Sequence, residues 1–319
     1  MCIRDSLSGA VLSGASLRHA NLAGAQLVHA DLTDTDLQGA RLAGANLLLT
    51  DFTSSDLRGA DLSRATPPDS GQELGQTRRG PRFKDADLRE ADLSGSYCYI
   101  SDFSGASLGG VNLAGAMLQR ANFANNDLQE VVLSGADLSG ADLRGANLRG
   151  ADLSGALMVH ANLQGASLSD ADVSGASLKS ANFADAKVDG IRFDRKSTFR
   201  GIRVASCYGS SRFRRHAQDQ DFVEEFREAH PIYYMLWLGL TDCGRSMTRV
   251  ILWSAGLALV FGVIFYLLGE HSFAVSNQDS LGWSLFTTIY YSVVTFTTLG
   301  FGDITPRTPL AAGLVMVEV

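Results

Sequence analysis

The sequence predicts a chain of two unlike pieces, a β-solenoid followed by an α-helical membrane domain. Two observations carry this. A leucine or phenylalanine recurs at every fifth position through most of the first two hundred residues, and a 19-residue stretch without a charge runs from 250 to 268. The pooled composition hides both. Of 319 residues, 45% are apolar and 19% charged, which excludes wholesale disorder. A formal charge of -7 argues against a general nucleic-acid binder. The four cysteines, Cys2, Cys98, Cys207 and Cys243, are scattered, so neither a disulfide scaffold nor a C-x-x-C metal or redox pair is expected.

The first ladder runs Leu7, Leu12, Leu17 and onward to Phe52, Leu57 and Leu62 without a miss. The same phase is read as resuming after a gap, from Phe83, Leu88 and Leu93 to Phe183, Val188 and Phe193, with Cys98, Met158 and Val173 as apolar replacements. Two residues before almost every ladder residue stands an alanine, as at Ala136, Ala141 and Ala146, with Asp or Asn between them and Ser, Arg or Gly after. A period of five fits neither the 3.6 of a helix nor the 2 of a flat strand, so the chain must turn every five residues. Each pentapeptide is expected to be a short extended edge and a corner, with alanine and leucine inward and the polar residue outward.

The A-D-L-S-G pattern resembles the pentapeptide-repeat family, which implies a right-handed quadrilateral β-helix with four pentapeptides per coil. Phe83, Phe103, Phe123 and Phe183 differ by multiples of twenty and should stack in one column, with Leu143 and Leu163 between. At ~4.8 Å per coil, roughly nine coils make a rod on the order of 40 Å long. The first block is assigned to residues 1–65 and the second to 83–200. Residues 66–82 (TPPDSGQELGQTRRGPR) hold three of the six prolines and no apolar period, and are read as an inserted loop.

The outward carboxylates of the rod, such as Asp31, Asp61, Asp87 and Asp142, follow the repeat and read as a solvated face. His19, His29 and His160 fall at corners, and the first two lie on opposite sides of a four-edged coil, unable to share a metal. Some pentapeptide-repeat proteins mimic DNA and inhibit type II topoisomerases. From Met1 to Arg200, 19 Lys+Arg against 24 Asp+Glu give a net of -5, too mixed to favour mimicry, and no nucleic-acid partner is expected.

Residues 201–247 read as a linker. The arginine-rich part, Arg203 to His216, precedes a short polar helix from Asp219 to Ala229, and IYYMLWLGL (232–240) carries Tyr233, Tyr234 and Trp237, rings that settle at headgroup level. It is read as an interfacial helix. The domain from 248 to 319 then opens with an outer helix. Nineteen uncharged residues rise ~28 Å, enough to cross a bilayer. Arg212, Arg214, Arg215, Arg227, Arg245 and Arg249 lie before it and Glu270 after it, so the positive-inside rule places the rod in the cytoplasm, in a multi-pass protein of the plasma (inner) membrane.

The apolar stretch 282–295 suits a re-entrant helix. After it, Thr297-Thr298-Leu299-Gly300-Phe301-Gly302-Asp303 resembles the T-x-G-[YF]-G-D selectivity filter of potassium channels, in the place that family gives it. The resemblance implies a homotetramer in which the carbonyls of Thr298, Leu299, Gly300 and Phe301 replace the water around a permeant K+, with Thr298 also offering its hydroxyl. Gly300 and Gly302 supply positions where positive φ costs little, and Asp303 should sit at the outer mouth. Phe301 stands where tyrosine is commoner, so the hydroxyl that would tie the filter to its pore helix is absent. The inner helix should start at Thr308 or Pro309, and the residues up to Val319 reach only ~17 Å of a ~30 Å core, so a truncated inner helix is expected. Glu318 within it faces either the cavity or a helix end.

The fold class is thus a pentapeptide-repeat β-solenoid followed by an α-helical membrane pore domain. The function read from it is a subunit of a potassium-selective channel with a cytoplasmic tethering or regulatory rod, its cytoplasmic partner unnamed. The rival is a membrane-anchored interaction scaffold, or a topoisomerase-inhibiting DNA mimic, without selective conduction. No catalytic triad, phosphate loop or cofactor motif appears, so enzymatic activity is not predicted.

Overall fold

The computed structural model describes residues 6–65, 79–241, 247–275, 284–296 and 304–306. They fall into two compact units, Met1–Glu225 and Phe226–Val319.

The first unit is the solenoid. Single-residue parallel bridges recur every five residues, and most join positions twenty apart, as in Asp142↔Asn162 and Asn162↔Asn182. Four bridges therefore make one coil, and adjacent coils are tied by backbone alone. One pentapeptide shows the accounting. The amide of Asp142 donates to Ala121 O (2.9 Å) and that of Leu143 to Asn162 O (2.8 Å). The amide of Gly145 donates to Gln164 O (3.0 Å), and that of Ala146 closes the turn on Leu143 O (3.1 Å). The fifth amide, of Arg144, donates to Oδ1 of Asp142 (3.2 Å). No backbone N–H in this pentapeptide is left over, which is what allows so tight a turn to be buried against its neighbours. The corner residue has positive φ, +65° at Gly145. His19, His29 and His160 occupy this same corner at 54°, 56° and 59°, against the preference of any residue with a Cβ.

The core is the alanine–leucine lining read from the repeat. Ala141, Leu143, Ala146 and Leu148 have no exposed surface. The phenylalanines stack, Phe83 on Phe103 at 5.0 Å and Phe103 on Phe123 at 4.5 Å between ring centroids. Phe52 joins the same column on Phe83 at 5.4 Å. Leu7, Leu12 and Leu17 of the first coil are partly buried.

Two registers differ from the expectation. Across the insertion the bridges Asp51↔Arg82, Asp56↔Asp87 and Asp61↔Asp92 join residues 31 apart instead of 20. Eleven residues are extra, one more than two pentapeptides, so the second ladder is shifted by one position and not in the phase of the first. The shift is invisible to the stacking because the chain rejoins the coil early. Residues 79–82, assigned to the loop from sequence, are solenoid: Leu49 donates to Arg79 O (3.1 Å) and Gly80 to Tyr99 O (2.7 Å). Gly80 is required there, since a Cβ would lie 2.5 Å from Ser101 Oγ. The rest of the insertion lies outside the described residues.

The second difference is at the other end. The bridges change from a spacing of 20 (Asp172↔Arg192) to 21 (Ser177↔Thr198, Asn182↔Arg203, Lys187↔Tyr208). Asp194 absorbs the added residue. Its Oδ1 accepts from the amides of Gly175 (2.8 Å), Lys196 (3.0 Å) and Ser197 (3.1 Å). The rod thus continues past 200, with Phe199, Val204 and Cys207 buried, and the linker begins later than position 201. Helix α1 (Ser211–Ala229) follows directly, its start fixed by Ser210 Oγ accepting from the Phe213 amide (3.2 Å). Phe213 is fully buried against Phe183, Phe193 and Phe199 at 5.8, 5.5 and 5.9 Å. The first half of α1 is therefore the lid of the solenoid and not the polar connector expected from sequence.

The second unit holds α2 (Pro231–Thr241), α3 (Met247–Leu268), β1 (Phe273–Val275), α4 (Leu285–Phe296) and β2 (Ile304–Pro306). On α2, Ile232, Tyr233, Met235 and Leu236 are exposed, while Trp237 packs edge-on against Phe226 at 5.4 Å. The expected interfacial segment is a helix with apolar groups on its outer surface.

Candidate functional site

Helix α3 is the one helix among the described residues long and apolar enough to cross a membrane. Its 22 residues rise ~33 Å. Its side chains point the wrong way for water: Leu252 is 68% exposed, Val260 55% and Leu267 78%. The contiguous apolar surface needs an apolar surround. The helix ends on Gly269 at φ +78°, and Ser272 Oγ donates to Leu268 O at 3.0 Å, satisfying a terminal carbonyl.

The inward side of α3 receives α4. A Cβ on Gly262 would lie 2.7 Å from Ile289 Cα, so glycine lets the two backbones meet, and Phe265, fully buried, touches Tyr291 at 5.6 Å. Helix α4 starts at an N-cap, Ser284 Oγ accepting from the Thr287 amide at 3.2 Å. It has 12 residues and rises only ~18 Å, too short for a ~30 Å core. Thr287, Thr288 and Ser292 are buried on it, and Thr288 Oγ1 donates to Leu285 O at 3.0 Å, spending its hydroxyl within the helix.

Strand β2 pairs antiparallel with β1, Phe273 opposite Pro306 and Val275 opposite Ile304. The chain that leaves the end of α3 at β1 thus returns to it at β2, and α4 lies inside that excursion. Thr298, Leu299, Gly300, Phe301, Gly302 and Asp303 lie outside the described residues, between the end of α4 and the start of β2. The inner helix, with Glu318, also lies outside the described residues. Gly262, Gly269 and the β1–β2 pair were not read from sequence. The first two could have been, as a glycine inside an apolar run and a glycine just past it.

The rod's surface groups have structural tasks. Asp142 accepts from the Arg144 amide and from its guanidinium, at 3.2 and 2.6 Å, and Asp87 does the same for Arg89 at 3.2 and 2.6 Å. The Arg144 and Arg89 hydrogen bonds hold these carboxyls below the usual aspartate range. They are turn caps more than a free solvated face. Cys98 fills a ladder position, and burial pushes its thiol up to about 11. Among the described residues no cluster of His, Cys, Asp and Glu could hold a metal.

Pentapeptide repeats match the chain in eight copies, over residues 6–34, 30–66, 82–116, 101–135, 116–155, 127–165 and 156–195. The Ion channel family matches residues 253–319. No curated protein matches the chain. Solved structures with similarity include HetL, a pentapeptide repeat protein involved in heterocyst differentiation regulation from the cyanobacterium Nostoc sp. strain PCC 7120. It is 29% identical, covering 65% of this chain and 87% of its own, with a TM-score of 0.39. QnrB1, a plasmid-mediated fluoroquinolone resistance protein, is 21% identical over 58% of this chain and 92% of its own, with a TM-score of 0.28. The pentapeptide repeat protein alr5209 from Nostoc PCC 7120 is 40% identical over 29% of this chain and 83% of its own, with a TM-score of 0.27. With repeats over more than half its length and an ion-channel domain after them, the chain belongs to the pentapeptide-repeat family and joins that solenoid to a channel domain.

Proposed function

We propose that the chain is one subunit of a tetrameric, potassium-selective channel whose pentapeptide-repeat rod lies in the cytoplasm. The observation that carries this is the placement of T-T-L-G-F-G-D: it follows a helix too short to span, and precedes a strand that returns the chain to the end of the spanning helix. A re-entrant helix and an extended return are what a carbonyl-lined pathway needs. Thr298, Leu299, Gly300 and Phe301 would turn their carbonyls to a shared axis and exchange water oxygens for backbone oxygens around K+. The carbonyls of one chain cannot close such a ring, so identical chains complete it. Arginines on the rod side of α3 favour that side as cytoplasmic.

Reconstituted full chain should give currents whose reversal potential follows the potassium gradient and ignores sodium. Equal permeability to the two ions overturns the selectivity, and absence of current returns the chain to a membrane-anchored scaffold. Gly300→Ala places a Cβ where the backbone must alternate handedness and should abolish current, while the thermal unfolding of the rod stays unchanged.

A further inference from the structure

The rod has four outward edges, and three of them carry carboxylates at regular intervals. One edge, for example, shows Asp31, Asp34, Asp51, Asp85, Asp102 and Asp142. The remaining edge is different. Its bridge residues are Ser6, Gln26 and Asn46 in the first block, and beyond the insertion they stack as Tyr97, Met117, Asp137, Leu157, Ser177 and Thr198. Its corners add Tyr99, Ile100 and Val159, and the cations Arg120, Lys179 and Arg200. Asp137 is the one carboxylate on this edge among the described residues. Leu157 is 46% exposed, and the rings of Tyr97 and Tyr99 lie 6.2 Å apart on the surface.

These substitutions work against the solenoid. At the bridge position an aspartate receives the amide two residues on, as Asp137 does from Ser139 at 3.0 Å. Tyrosine, methionine and leucine offer no acceptor there, so Tyr97, Met117 and Leu157 each forgo a turn cap. An edge that is apolar, aromatic and cationic suits an anionic surface that also accepts apolar groups: arginine and lysine reach headgroups while their stems lie on apolar ground, and tyrosine rests at such a boundary. The same chain carries α3, which holds a bilayer at high effective concentration around the rod.

We propose that this edge of the rod docks on the anionic headgroup surface of the bilayer. The inference rests on the membrane reading of α3 and not on conduction.

The full chain, with Cys2 and Cys243 changed to serine and the buried Cys98 and Cys207 kept, would carry a fluorophore at Leu157→Cys. Controls carry it at Ser134→Cys on a neighbouring edge or at Leu259→Cys on α3. Vesicles of phosphatidylcholine alone, or with phosphatidylglycerol, contain a lipid-borne quencher. The label at position 157 should be quenched several-fold more with phosphatidylglycerol present, the label at 134 should not respond, and Arg120→Glu with Lys179→Glu should remove the difference. Quenching at 259 but not at 157 in either lipid overturns the docking and leaves the membrane reading standing. No quenching at 259 overturns both. Quenching at 157 that ignores anionic lipid and charge reversal, or shielding from aqueous iodide without lipid quenching, also overturns it, the latter pointing to a protein covering that edge.

Discussion

Leucine occupies opposite environments in the two units. In the rod Leu143, Leu148 and Leu153 have no exposed surface, whereas in α3 Leu252, Leu257 and Leu259 are 68%, 44% and 52% exposed. The difference comes from how each backbone satisfies itself. A pentapeptide coil finds partners for most of its amides in the coils above and below, so its inward side chains are enclosed by neighbours twenty residues away. A helix satisfies its backbone within itself, and nothing obliges its apolar surface to be covered by protein. In α3 that surface is left uncovered, long and apolar enough to cross a bilayer, except where Gly262 and Phe265 meet α4.

The contrast can be broken directly by truncating a side chain on each side. Phe103→Ala opens the middle of the stacked column and should cost the rod ~3–5 kcal/mol, whereas Leu259→Ala on α3 should stay within about 1 kcal/mol. Denaturation of the solubilised chain, followed by rod circular dichroism, measures both, and equal losses would remove the distinction. At the seam, Gly262→Ala forces a Cβ against Ile289 and should cost ~1–3 kcal/mol of α3–α4 packing, read as a lower melting temperature of the channel unit with the rod transition unmoved.

Corners give a smaller and signed effect. Gly155 sits at φ +65° with open space around it, so Gly155→Ala should cost ~1 kcal/mol through backbone strain alone, and His160→Gly, at φ +59°, should return a similar amount. Opposite signs in matched melts are the expected result; like signs would mean the corner is held by side-chain contacts instead.

The smallest effect is acid sensitivity of the rod. Hydrogen bonds from Arg58, Arg89 and Arg144 hold Asp56, Asp87 and Asp142 below their ordinary value of 3.8. The folded rod binds these protons less tightly than the unfolded chain. Their contribution is therefore complete above about pH 4 and lost as pH falls through the depressed values. Asp142→Asn should lower the neutral-pH melting temperature slightly and leave the melt below the depressed value almost unchanged, so that part of the fall in acid is flattened.

Much of this was legible in sequence because it is periodic or local. Leu7 through Leu62 announced a turn every five residues, Phe83, Phe103 and Phe123 announced a twenty-residue coil, and residues 250–268 announced a span. The slip at Asp194 was half visible, since Phe193, Phe199 and Val204 are spaced six and then five, but polar neighbours masked it. Phe213 carried no signal: a lone phenylalanine among arginines does not say that it closes a solenoid.

By itself, then, the sequence determined the repeat, the inward and outward positions, and the span, because each follows from side-chain period and run length. It also set the order of the filter-like residues Thr298 to Asp303. Only the tertiary structure decided where eleven extra residues leave the rod unbroken, that the rod runs on to Tyr208 beneath the α1 lid, and that β2 comes back to β1. Those are matters of backbone hydrogen bonds and ring contacts between residues far apart in the chain. No local pattern encodes which distant carbonyl an amide will find.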